Sequence, residues 1–163
     1  MKLNALLSIS FALLLISTTA FANAKSLLQN YIAQTTDEQT RPFMVYALKN
    51  VHNVECENGQ HCSKATEEEF SNPPLSVNQM KGAIAHGGVG AMALWCGLDS
   101  KRTLLAMLGY GKHVEKMSDR NLQLMSLING AFQGSQLRSL KKLGECPPEI
   151  KERVDREMPV LKK

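Results

Sequence analysis

Ser76-Val77-Asn78-Gln79-Met80-Lys81-Gly82-Ala83-Ile84-Ala85-His86-Gly87-Gly88-Val89-Gly90-Ala91-Met92-Ala93-Leu94-Trp95-Cys96-Gly97 carries one charged residue and is otherwise small, apolar or weakly polar. Ser76 with Gln79 three positions later is a capping-box start, and Gly97 is a helix stop. Between them the pattern predicts a helix to about Cys96. Four glycines between positions 82 and 90 weaken that helix by about 1 kcal/mol each relative to alanine, so something must offset them. Close packing does so if the helix runs through the middle of a bundle, with Trp95 and Cys96 at its far end. The alternative puts His86, beside two glycines, on the wall of a pocket. Packing is the expected explanation, and His86 and Trp95 are carried as candidate binding residues.

Helical signals continue on both sides. Leu27, Leu28, Tyr31, Ile32 and Thr35 mark one amphipathic stripe. A second helix is expected after Thr40, with Pro42 in its first turn and Phe43, Ala47 and Val51 on one face. Residues 54–75 form an irregular segment holding two cysteines, Glu67-Glu68-Glu69 and Asn72-Pro73-Pro74. Thr66 and Glu69 cap one short turn inside it. Asp99 or Ser100 starts a helix through Leu104, Leu105, Met107 and Leu108 that is expected to end at Gly109-Tyr110-Gly111. Ser118 caps a long helix, apolar on most sides from Leu122 to Phe132 and therefore expected at the centre of the core. Pro147-Pro148 opens a last charged helix that Pro159 ends. No run alternates with period two over a strand's length. The fold class is therefore all-α: a compact bundle of about five to six helices in one domain, residues 25–163.

Residues 1–24 read as a cleaved signal peptide. Lys2 supplies the positive start, Leu6 to Ile16 the apolar run, and Ala22-Asn23-Ala24 the small-x-small cleavage pattern. The run falls short of the roughly 20 residues a membrane span needs, so no membrane insertion is expected after cleavage. Export implies the periplasm if the host is Gram-negative, and secretion otherwise. In that oxidising setting the four cysteines, Cys56, Cys62, Cys96 and Cys146, read as two disulfides. Four cysteines allow three pairings, and the turn signal Asn58-Gly59 ranks Cys56 with Cys62, and hence Cys96 with Cys146, first among them.

Chemistry is harder to find. The formal net charge of +4 is mild and interleaved, which argues against nucleic acid. Alternating signs from Lys151 to Glu157 describe a solvated helical face. Gly88-Val89-Gly90-Ala91-Met92-Ala93 imitates a dinucleotide fingerprint but lacks the preceding strand and the acidic residue about 20 positions later. No two histidines stand four apart as a helical metal pair, and the methionines fall among apolar residues as gap-fillers, so no metal or cofactor is expected. No catalytic motif is visible, and Glu67 to Glu69 and Asp99 have no spacing that distinguishes them as an acid–base pair. Tyr110, Lys112 and His113, expected on a surface loop at a helix end, have the composition of a recognition patch. The resulting expectation is an exported, non-catalytic binding protein whose partner is another protein of the cell envelope: an inhibitor, an immunity-type protein, a chaperone or an accessory subunit. The alternative is a small-ligand, metal or haem carrier, or an envelope enzyme, with the helix around His86 as a pocket wall.

Overall fold

A computed structural model describes residues 26–56 and 59–159. Residues 1–24, expected to be a signal peptide, lie outside them. The described chain is all-helical: α1 Leu27–Gln34, α2 Asp37–Asn50, a 3-10 turn Val51–Asn53, α3 Glu67–Ser71, α4 Val77–Trp95, α5 Lys101–His113, α6 Asp119–Lys141 and α7 Pro148–Glu157. The nearest approach to β structure among these residues is one isolated bridge, Glu55 to His61, inside the small disulfide loop.

Most boundaries follow from side-chain caps. Ser76 accepts from the Gln79 N–H while the Gln79 side chain accepts from the Ser76 N–H, and Thr66 with Glu69 repeats the arrangement at α3. Ser118 caps α6 through the Asn121 N–H. At the end of α4, Gly97 takes φ +70°, and the bonds Leu98 N–H to Ala93 O and Gly97 N–H to Leu94 O form a Schellman motif. Asp99 supplies the oxygen at the start of α5, accepting from the Lys101 N–H at 3.0 Å, while Ser100 occupies the cap position without a side-chain bond.

Two boundaries differ from expectation. Helix α2 begins at Asp37, because Thr36 and Gln39 form a full capping box, and Pro42 sits inside the helix rather than in its first turn. The cap and the burial of Thr40, Met44, Ala47 and Leu48 outweigh the one backbone bond that the proline cannot donate. Helix α5 runs through Gly109-Tyr110-Gly111 to His113. Gly111 is a packing residue there: a Cβ on it would stand 2.8 Å from Leu122 Cδ2 and 3.0 Å from Met117 Sδ. The chain turns later, with Lys116 at φ +54°.

Helix α4 is the hub. It packs against α1, α2, α5, α6 and α7, and α6 is its principal neighbour, so the glycine-rich helix and the helix apolar from Leu122 to Phe132 share the core centre. Its glycines explain the closeness. A Cβ on Gly87 would lie 2.6 Å from Asn129 O, one on Gly88 would enter the Tyr31 ring at 2.5 Å, and one on Gly90 would meet Thr103 Oγ1 and Gln133 Nε2 at 3.0 Å. Asn129 also donates from Nδ2 to the Ala83 carbonyl, at 3.3 Å.

The disulfides pair Cys56 with Cys62 and Cys96 with Cys146, with Cα–Cα distances of 4.9 and 5.0 Å. Such bonds belong to an oxidising, exported location. The second bond fastens the far end of α4 to the entry of α7, where Trp95 Nε1 also donates to the Gly144 carbonyl at 2.7 Å. The charges of α7, expected to be merely solvated, partly act as clamps. Asp155 pairs with Arg102 at 2.9 Å, Arg153 with Glu157 at 2.9 Å, and Glu157 also accepts from the Leu27 N–H. Val154 and Met158 anchor the other face in the core.

Candidate functional site

A groove of about 540 Å³ opens where α1, α4 and α5 diverge, within the size range of small-molecule pockets. Its construction follows from helical spacing. Leu27 and Tyr31 turn into the core, so Leu28 and Ile32, one position round the same helix, face the groove. Gly82 and His86, also four apart, form its α4 wall, and Met107 and Gly111 stand four apart on α5. Met125 contributes from α6 beneath them. A Cβ on Gly82 would meet nothing within 4 Å, so this glycine answers to no packing contact and lowers the wall instead. At the polar end, Gln79 Nε2 donates to Glu115 Oε2 at 2.8 Å, with Ser76 and Asn78 beside them.

His86 is the chemically distinctive residue of this wall. Burial lowers its pKa from the ordinary histidine value, and a hydrogen bond between the imidazole and the Thr103 backbone works in the opposite direction. Its Nδ1 is buried without a hydrogen-bond partner. An unsatisfied nitrogen of this kind costs about 1–3 kcal/mol, so a native fold that retains one invites an explanation.

The other candidates separate. Tyr110, 57% exposed, joins His86 at the groove and forms its projecting rim. Lys112 and His113 are exposed on the last turn of α5, outside the groove and on a helix rather than a loop. Trp95 lies at the opposite end of α4, beside the Cys96–Cys146 bond, and Met92 is sealed in the core, so the two do not share a cavity with His86. Leu28, Ile32, Gly82, Met107, Glu115 and Met125 were not singled out from the sequence. The i, i+4 pairs Leu28/Ile32, Gly82/His86 and Met107/Gly111 were a usable signal, but only once the helices facing one another are known.

The carboxylates have structural employment. Glu69 receives Arg120 in a two-pronged contact, with Nε to Oε1 at 3.1 Å and Nη2 to Oε2 at 2.9 Å, while also capping α3. Asp99 caps α5. Gly88, of the dinucleotide-like run, lies in mid-helix under Tyr31 and has no phosphate-sized space above it. Among the described residues no three His, Cys, Asp or Glu side chains gather as a metal cluster, and no helix is long and apolar enough to cross a membrane. The chain matches no family model, no curated protein and no solved structure.

Proposed function

We propose that the chain is an exported binding protein, periplasmic where the host is Gram-negative, that engages another protein of the cell envelope and performs no catalysis itself. One observation carries this reading: the groove between α1, α4 and α5 has an apolar floor and a rim formed by the exposed side chains of Ile32 and Tyr110. Aromatic and aliphatic anchors around a concavity are the composition of an interface hot spot. The disulfides suit an extracytoplasmic workplace.

The test is affinity capture from envelope extract with the disulfide-intact chain and a Tyr110→Glu variant. The wild type is expected to retain one partner in stoichiometric amount, and the variant to lose it. Retention of the same partner by the variant, or capture of none, overturns the reading. Carriage of a small ligand or ion is a second reading, favoured by a separate observation: His86 and Gly82 do form a groove wall, as that alternative requires.

A further inference from the structure

Three residues that carry soft or borderline donors line the groove, one from each of three helices. His86 lines it from α4, Met107 from α5 and Met125 from α6. Contacts between the helices fix their heights. Gly90 of α4 lies beside Thr103 of α5, and Gly87 lies against Asn129 of α6. His86 is one turn before Gly90, Met107 is one turn after Thr103 on a helix running the other way, and Met125 is one turn before Asn129. All three residues therefore stand within about one turn of a common level. The two thioethers are nearly sealed, with Met107 2% and Met125 6% exposed, and the unpartnered Nδ1 of His86 is equally inaccessible to water.

We propose that His86 Nδ1, Met107 Sδ and Met125 Sδ form a binding site for a soft monovalent cation, Cu(I), at the base of the groove. The two thioethers select Cu(I) and imidazole accepts it, whereas Zn(II) favours thiolate, imidazole and carboxylate. No described cysteine is free to compete, since all four are tied in disulfides, leaving thioether sulfur and imidazole nitrogen as the soft donors. Inaccessibility of Nδ1 argues against an organic occupant, whose own hydrogen-bond donor would have to reach that atom. An ion held between side chains needs no such opening, and methionine's three rotatable bonds let both sulfurs close on it. The orphaned nitrogen then has its use as a ligand. This proposal does not depend on the partner-protein reading, and the rim residues Tyr110 and Ile32 are not among the donors.

The experiment uses the disulfide-intact chain, with Cu(I) kept reduced anaerobically by ascorbate rather than a thiol. Bicinchoninate serves as the competing chelator. Wild type is expected to withdraw one equivalent of Cu(I) and to ignore Zn(II). His86→Gln, Met107→Leu and Met125→Leu are each expected to weaken retention at least about tenfold, since even outer-shell changes cost 10–100-fold at metal sites. Met44→Leu, in the core away from the groove, is expected to change nothing. Because a core variant can fail to fold, Ag(I) is also titrated into wild type and the methionine methyl resonances are followed by NMR. Shifts confined to Met107 and Met125 support the site. Absence of Cu(I) retention, unchanged retention in the three variants, or Ag(I) shifts centred on other methionines would overturn it. Loss of the partner on Tyr110→Glu with Cu(I) binding intact separates this site from the proposed protein interface.

Discussion

The two ends of α4 are built on opposite terms. Its far half, from Gly87 to Cys96, is closed: glycines lie against Asn129, Tyr31 and Thr103, Trp95 is hydrogen-bonded to Gly144, and Cys96 is bonded to Cys146. Its near half, from Ser76 to His86, is capped and packed on one side but open on the face of Gly82 and His86, with Gly82 facing space and His86 holding an unpartnered nitrogen beside a groove. One helix thus uses the same residue type in two ways. Glycine at 87, 88 and 90 admits a neighbour, and glycine at 82 withholds one.

The largest effect is expected where the closed end is fastened. Replacing both Cys96 and Cys146 with serine reopens a link across a sequence separation of 50 and should cost about 4 kcal/mol in the chain-entropy account, against about 2.4 for Cys56 and Cys62. Thermal unfolding should show a fall of roughly 10–20 °C for the first pair and a smaller one for the second. Equal losses would mean that the end of α4 is held by packing alone.

Next in size is the glycine contrast. Gly87→Ala drives a Cβ to 2.6 Å from a backbone carbonyl, which cannot rotate away, and should destabilise by about 2 kcal/mol even after the better helix propensity of alanine. Gly82→Ala meets nothing and should stabilise by about 0.5–1 kcal/mol. Denaturant midpoints at constant slope would read both changes. Destabilisation by Gly82→Ala, or tolerance of Gly87→Ala, would erase the distinction between the two halves.

The closed half was largely legible in the sequence, and the open half was not. Glycines packed in a run, a tryptophan and a cysteine at the helix end, and an even cysteine count with a turn between Cys56 and Cys62 are local signals. They rank close packing first among the explanations and Cys56–Cys62 with Cys96–Cys146 first among three pairings, and the structure contains both. The groove depends on which helices face one another. His86 and Tyr110 were identifiable as unusual side chains, but nothing near either one in the chain says that they share a wall with Met107, Met125 and Leu28. Methionine was the most ambiguous: Met92 and Met107 look alike in sequence, and both are buried, yet only Met107 lines the groove. Lys112 and His113 stand on a helix rather than on the expected loop because Gly109 and Gly111 only imitate a helix stop, and Gly111 serves to seat Leu122 and Met117.

The smallest expected effect concerns protonation at the open end. Burial lowers the His86 pKa below the ordinary value near 6.5, so the unfolded chain takes up a proton there before the folded chain does. The contribution to stability is therefore complete above about pH 6.5 and is lost as pH falls from there through the folded value. A hydrogen bond with the Thr103 backbone opposes the burial and reduces the effect. Glu115 and Tyr110 are the other titratable residues lining the groove. Comparing wild type with His86→Gln by denaturant unfolding between pH 8 and pH 5 isolates the contribution: the wild type should lose stability more steeply as pH falls, and the difference should vanish above pH 7. Parallel curves would show that the imidazole keeps solvent contact in the folded chain, making the near half of α4 more open than its burial implies.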